Sequence, residues 1–360
     1  MQLRVPGPTP CPPKVLESMS KQMVNHRGKE FQELIKNITA KLQTIFQTKN
    51  DVLILTGAGT GAMEAAIVNF LSPGDKVLSA STGVFGNRFA DIAQTFGADV
   101  TRLKFDWGKP VDPDEVRRAL KADSKIKAVL VTHNETSTGV TSDLAAVSAV
   151  VKEFDKLIIV DAISGLSSID LQVDNWKCDV VISGSQKGWM VPPGLSMVSV
   201  SEKAWKAHAE AKMPRYYWDL TKAKTFLAKG QTPWTPGITI FYALGVSLDM
   251  ILAEGLSNVF ARHARIAKMA RDGVRSMGLA ILPVDDKCAS NTVTAVKADG
   301  KFDVAKLRQI LRDEYKVVIA GGQGDLTDKI FRIGHLGWVE DKDIKEVLDA
   351  IKKALPKAAV

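Results

Sequence analysis

The chain has 360 residues, 45% of them hydrophobic and 24% charged, which is the balance of a globular protein with room for one large domain or two ordinary ones; disorder, collagen and fibre are excluded. Forty-eight Lys and Arg against 40 Asp and Glu leave a formal charge of +8. The cations are spread along the chain, and the densest groups (Lys121 to Lys127, Lys222 to Lys229) have apolar or acidic neighbours, so they read as solvated faces and not as a nucleic-acid stripe.

Cys11, Cys178 and Cys288 are too few and too scattered for a disulfide framework, and no C-x-x-C pair suggests a metal. The N-terminus lacks a basic region followed by an apolar core, and no run reaches the roughly 18 apolar residues that span a bilayer. A cytoplasmic chain bound to neither membrane nor nucleic acid is expected.

In chain order, Pro6-Gly-Pro-Thr-Pro-Cys-Pro-Pro13 comes first. Its prolines remove backbone donors and fix φ, so it predicts an extended arm, either a leader to the first helix or a cover over a cleft or a partner subunit. Short apolar runs follow at Val52–Leu55, Lys76–Ser79, Val100–Leu103, Ala128–Val131, Leu157–Val160, Val180–Ile182 and Met197–Val200, the pattern of buried parallel strands. Helical spacing lies between several of them, at Ala62–Leu71, Phe85–Phe96, Asp114–Leu120 and Asp143–Phe154. That alternation predicts an open α/β sheet with helices on both faces. After about Lys203 an aromatic, lysine-rich connection leads into Gln231-Thr-Pro-Trp-Thr-Pro-Gly237 and helical periodicity from Ile238 through Met277. The remainder offers strands at Thr292–Val296, Val317–Ala320 and Ile330–Ile333 and helices at Val304–Glu314 and Asp341–Leu355, enough for a smaller α/β domain. The expected division is an arm at 1–20, a large domain at 21–253 and a small one at 254–360.

Thr56-Gly-Ala-Gly-Thr-Gly61 joins the first strand to a helix opening near Ala62. Such a turn lets backbone amides approach a phosphate at a helix N-terminus, although any tight strand-to-helix turn uses glycine. It is not a P-loop, because Ala62 and Met63 stand where Lys and Ser/Thr are needed. It is not a dinucleotide fingerprint either, because the third glycine comes one place early and Asp75 lies before the second strand. Asp161 closes the most apolar strand, where open α/β sheets face their ligand crevice. Lys187, in Ser183-Gly-Ser-Gln-Lys187, follows the next strand and enters the same crevice. Alone it would be an exposed loop lysine. A lysine, a carboxylate at a neighbouring strand end and a phosphate turn are together the parts of a pyridoxal phosphate site: a Schiff-base amine, a partner for the pyridinium nitrogen and an anion anchor.

These blocks resemble a known family nearly end to end. They comprise Pro6-Gly-Pro-Thr9, Phe46-Gln-Thr-Lys-Asn50, Gly59 to Asn69, Thr132-His-Asn-Glu-Thr-Ser-Thr-Gly139, Val160-Asp161, Ser183 to Lys187 with Pro192-Pro-Gly194, and Phe331-Arg-Ile-Gly334. The chain is similar to the class V aminotransferases of fold type I, most closely the alanine–glyoxylate and serine–pyruvate/serine–glyoxylate branch. The resemblance implies an α/β fold with a mainly parallel seven-stranded sheet in the large domain and a smaller C-terminal α/β domain. It implies that Lys187 holds the pyridoxal 5'-phosphate and moves the substrate proton, and that Asp161 pairs with the ring nitrogen. Ala58, Gly59, Thr60 and Gln186 would then hold the phosphate, Thr136 the phenolic oxygen, and Arg332 the substrate α-carboxylate. Phe85 stands where close animal relatives stack a tryptophan on the ring, and Thr232 replaces a tyrosine. Thr232 and Thr235 would reach the phosphate of the other subunit, which makes a homodimer with shared sites, its interface including the Pro6–Pro13 arm. Asn25-His26-Arg27 either edges the substrate entrance or caps a helix.

The resulting expectation is a ping-pong transaminase passing the amino group of alanine or serine to glyoxylate or pyruvate, with no metal. Nothing in the sequence supplies an obvious second cation for a distal carboxylate, though His26, Arg27 or His335 would be within the range of the site. The alternatives are a cysteine desulfurase-like lyase using Cys288, a transaminase with an aspartate or aminophosphonate donor, and a non-catalytic subunit of another assembly. Retention of Lys187, Asp161, Thr136 and Arg332 together speaks against the last.

Overall fold

A computed structural model describes residues 1–360. The chain opens with strand β1 (Gln2–Arg4), then helices α1 (Pro13–Ser18) and α2 (Lys29–Phe46). Strands and helices then alternate: β2 (Asp51–Thr56), α3 (Gly59–Phe70), β3 (Lys76–Ser81), α4 (Val84–Thr95), β4 (Asp99–Lys104), α5 (Pro113–Ala122) and β5 (Ala128–Thr132). A hairpin of β6 (Asn134–Glu135) and β7 (Val140–Thr141) leads to α6 (Leu144–Glu153), β8 (Leu157–Asp161), β9 (Val180–Gly184) and β10 (Leu195–Val200). Next come α7 (Glu202–Glu210), α8 (Leu220–Leu227), α9 (Ile238–Glu254) and α10 (Leu256–Ser276). The C-terminal part holds β11 (Val293–Lys297), α11 (Val304–Tyr315), β12 (Val317–Gly321), β13 (Ile330–Gly334) and α12 (Asp341–Ala358).

The large sheet has seven strands in the order β2-β10-β9-β8-β5-β3-β4. Its central strands are buried at every position because helices cover both faces. Along β5, Val129 and Val131 point into the core shared with α2 and α9, while Ala128 and Leu130 point into the core shared with α3 and α4. The alternate residues of β8 divide in the same way: Ile158 and Val160 go to one face, Leu157 and Ile159 to the other.

Two strands depart from the expectation of buried parallel pairing. β10 runs antiparallel to both neighbours. The Ser185–Gly194 segment between β9 and β10 is too short for the helical crossover that a parallel return requires. β4 is one of the two edge strands, and its Asp99, Thr101 and Lys104 are exposed.

The smaller sheet has the order β1-β12-β13-β11, with α10, α11 and α12 packed on it around Phe331, Leu307 and Ile351. Residues 1–20 are therefore not simply an arm. Gln2–Arg4 pairs in parallel with Val317–Ile319 as an edge strand of the small sheet, and Pro13–Ser18 is helix, which leaves Val5–Pro12 as the extended stretch. The helical periodicity of 238–277 is likewise two helices, bent by 86° at Gly255, whose φ of +83° suits glycine. That break falls at the expected domain boundary. No single helix is long and apolar enough to cross a membrane.

Candidate active site

The site forms at the C-terminal ends of β2, β5, β8 and β9. Helix α3 begins at Gly59, earlier than the Ala62 expected, and its N-terminal amides receive no side-chain cap. The N–H groups of Ala58, Gly59 and Thr60 have no protein acceptor and face a cavity of about 100 Å³. The glycines of the turn divide their work. A Cβ on Gly57 or Gly61 would lie 2.6 or 2.7 Å from Cη2 of Trp218, so those two admit an indole, and only the Ala58–Thr60 stretch turns its backbone to the cavity.

Asp161, the last residue of β8, is buried in that cavity's wall. It accepts hydrogen bonds from the Ile163 amide (2.9 Å) and the Thr132 hydroxyl (3.4 Å), which leaves acceptor capacity unused. Burial pushes its carboxyl up to about 6 against the partial relief of the Ile163 amide. Lys187 lies one short turn beyond β9. The Trp189 indole, fully buried against Phe46, donates to Ser183 Oγ at 2.8 Å and pins this loop to the core. Burial brings the Lys187 amine down to about 8, partly opposed by Asp161 and reinforced by Arg332 and Arg88.

The arm passes over this lysine. Lys187 Nζ donates to Pro6 O at 2.8 Å, and the Thr9 amide and hydroxyl donate to the carbonyls of Gln186 and Lys187 at 3.1 and 2.9 Å. A Cβ on Gly7 would stand 2.5 Å from Nζ. Of the two readings of the proline-rich segment, the cover over a cleft is the one this geometry matches.

An adjoining cleft of about 380 Å³ shares Phe85, Thr136 and Lys187 with the cavity and reaches Arg332 on β13. Arg332 is 5% exposed and has no ion pair, although a buried guanidinium is normally compensated by an anion. Its Nε donates to Gly321 O (2.8 Å), and its Nη1 to Thr136 O (2.9 Å) and Gln323 Oε1 (3.1 Å). Burial lowers its proton affinity, to about 10. The expected residues Ala58, Gly59, Thr60, Phe85, Thr136, Asp161, Gln186 and Lys187 thus converge on one cavity, with Arg332 next to it.

Thr232 and Thr235 line neither space. Thr232 Oγ1 donates to Trp234 O, and Thr235 is exposed. Arg27 donates to Gln231 Oε1 and to the carbonyls of Thr232 and Pro233, so it holds this segment in place. His335 is fully buried between Thr294 and Asn291, its imidazole lowered to about 3 by burial, and supplies no cation. Cys288 is buried with its thiol directed at Asp285 O and lines neither space, so it is not placed as a desulfurase nucleophile. The Cys178 thiol is pushed up to about 12 by burial.

Three charged residues of the site escaped the sequence reading. Glu135 is fully buried and accepts from the amides of Phe85, Gly86 and Ser137 (3.1, 3.0 and 3.0 Å) and from Ser137 Oγ (2.5 Å), which anchors the start of α4. Its carboxyl is nevertheless raised, because burial outweighs these donors. Arg88, one turn into α4, lines the cavity with its guanidinium 4.8 Å from the Phe85 ring centre and no carboxylate partner. Arg308 lines the adjoining cleft. The absence of a second cation, expected above, is therefore corrected. The position of Glu135 after a strand end was the one signal that could have found it.

This architecture is that of the fold type I pyridoxal phosphate enzymes. The family model for aminotransferase class-V matches residues 2–333, and the chain belongs to that family. It is 44% identical over 358 residues to a protein of Anabaena cylindrica named soluble hydrogenase 42 kDa subunit, a match covering 99% of this chain and 93% of that protein. It is 38% identical over 342 residues to an L-aspartate–glyoxylate aminotransferase of Paracoccus denitrificans, over 94% of this chain and 86% of the relative. Among solved structures, alanine–glyoxylate aminotransferase from Nostoc sp. superposes with a TM-score of 0.95 at 31% identity, covering 98% of this chain and 95% of that one.

Proposed function

We propose that the protein is a pyridoxal 5'-phosphate-dependent aminotransferase that moves the amino group of a small L-amino acid, alanine or serine, to glyoxylate or pyruvate. One observation carries this: an amine brought down to about 8, a buried carboxylate with spare acceptor capacity and a buried arginine without a counter-ion meet in one crevice. The names of the glyoxylate aminotransferases among its relatives support the acceptor.

The residues fit the cofactor. The uncapped amides of Ala58, Gly59 and Thr60 at a helix N-terminus suit a phosphate, and Gln186 lines the same cavity, where its side-chain NH2 is the end that would donate to one. The Thr136 hydroxyl is also free to bond a ring substituent. Asp161, costly to bury as an anion, would be relieved by pairing with the cationic ring nitrogen of the cofactor. Phe85 offers a ring face held by Glu135.

When bound, pyridoxal phosphate supplies an aldehyde for amino groups and a ring that accepts electrons from the substrate Cα. The chain supplies the rest. Lys187 Nζ, with its lowered proton affinity, takes and returns the Cα proton at neutral pH. Arg332 orients the α-carboxylate through its unused Nη2. The Pro6–Thr9 arm excludes water from the amine.

The active form would be a homodimer in which Thr232 and Thr235 serve the partner's phosphate. In support, these residues do not line their own cavity and lie beside an aromatic group formed by the exposed Tyr216 and Tyr217 and the half-buried Trp234. The hydrogenase-subunit name of one relative attaches to a chain of the same family, and a site this complete argues for chemistry over scaffolding.

The test is borohydride reduction of the cofactor-loaded protein followed by peptide mass analysis, alongside alanine-dependent formation of glycine from glyoxylate. The cofactor should be fixed on the Lys187 peptide, and Lys187→Ala should abolish both signals. Cofactor found elsewhere, or no amino transfer from any small donor, overturns the reading.

A further inference from the structure

Arg308 has no carboxylate partner, a property it shares with Arg27, Arg88 and Arg215, and of these four it is the one that lines the cleft reaching Arg332. On a helix the neighbours that would pair with it lie three and four positions away. Here they are Val304, Ala305, Leu311 and Arg312, none of them acidic. The carboxylates nearest in sequence are engaged: Asp303 caps α11 through the Lys306 amide, and Asp313 pairs with Arg312. The one hydrogen bond of the Arg308 guanidinium to the protein is from Nε to Ile319 O at 3.4 Å.

The backbone directs this free guanidinium toward the site. Arg332 Nε donates to Gly321 O at 2.8 Å, and a Cβ on Gly321 would lie 3.0 Å from Arg308 Nη1. Both arginines therefore rest against a single residue without a side chain, and both line the cleft that contains Lys187. They repel: Arg308 is among the causes that lower the proton affinity of Arg332. The Glu135 carboxylate partly offsets this for Arg332, while Arg308 has no ion pair of its own. Arg332 has already committed Nε and Nη1 to protein acceptors, so it offers one edge to one anion, and a second anion would meet Arg308 at the mouth.

We propose that Arg308 is a specificity-determining residue that takes the distal carboxylate of a short dicarboxylic amino donor, of which L-aspartate is the probe, while Arg332 takes the α-carboxylate. The assignment rests on the aminotransferase reading above and widens its donor class beyond alanine and serine. It concerns binding and not the proton transfer, so its signature lies in discrimination between donors.

The experiment measures kcat/KM of the holoenzyme with glyoxylate as acceptor and L-aspartate, L-asparagine or L-alanine as donor, in wild type, Arg308→Ala and Arg308→Lys. Asparagine is nearly the shape of aspartate without its distal charge. Wild type should favour aspartate over asparagine by about tenfold or more, equivalent to about 1.4 kcal/mol. Arg308→Ala should lower the aspartate-to-alanine ratio about tenfold, chiefly through KM, and Arg308→Lys should restore part of it. Equal use of aspartate and asparagine by wild type overturns the proposal, as does a ratio unmoved by Arg308→Ala, which would make Arg308 a solvated helix residue. An equal fall for both donors would mean a structural role and also overturns it. If alanine and aspartate both fail although Lys187 holds the cofactor, the aminotransferase reading falls first and this one with it.

Discussion

The lowered proton affinity of Lys187 has a direct kinetic consequence. Only the neutral amine attacks an aldehyde. At pH 7 an ordinary lysine, with a pKa near 10.4, is neutral in about one molecule in 2,500. Brought down to about 8, Lys187 is neutral in about one in ten, so capture of pyridoxal phosphate by the cofactor-free protein should exceed that of an exposed lysine by roughly 200-fold from this cause alone. Below about pH 8 the capture rate should rise tenfold per pH unit, and above it level off. Burial is the main cause and Asp161 opposes it, so Asp161→Asn should move the break to lower pH. Stopped-flow absorbance across the pH range measures this. A rate that keeps climbing toward pH 10, or a break that moves upward in Asp161→Asn, would refute the reasoning.

The same buried carboxylate makes a prediction of opposite sign for stability. Its folded pKa of about 6 lies above the unfolded value, so its stabilising protonated form is fully present below about pH 4 and is lost as the pH rises through about 6. Asp161→Asn should therefore stabilise the cofactor-free protein at pH 7 by about 1–3 kcal/mol in urea melts while removing more than 99% of amino transfer. Glu135→Gln, which sets an amide among four donors, should cost about 2–3 kcal/mol, seen as a lower denaturation midpoint at unchanged slope. Trp189→Ala should cost about 3–5 kcal/mol and weaken cofactor retention, because the Lys187 loop loses its anchor.

What the sequence made legible follows from short-range regularities. Runs such as Leu157–Val160 declare central strands through burial on both faces, and residues just past their ends, Asp161 and Lys187, must then enter the crevice. β1 was hidden because three residues carry no periodicity, and its partner Val317–Ile319 lies at the far end of the chain. The direction of β10 depended on the short link from β9, a matter of length and not composition. Glu135, Arg88 and Arg308 were missed for a common reason: charge in sequence does not show which side chains the fold brings around one crevice.

The pairing of Gln2 with Val317 gives the chain an unusual schedule. On a ribosome Gln2–Arg4 is made well before Val317–Ile319, the strand that receives it. Until then the segment over Lys187 is tethered on one side only, and the crevice stays open to solvent and cofactor. Closing so large a loop is slow relative to forming the local α/β units around it. The large sheet can therefore be complete, with the Lys187 amine uncovered, before the strap is drawn across it.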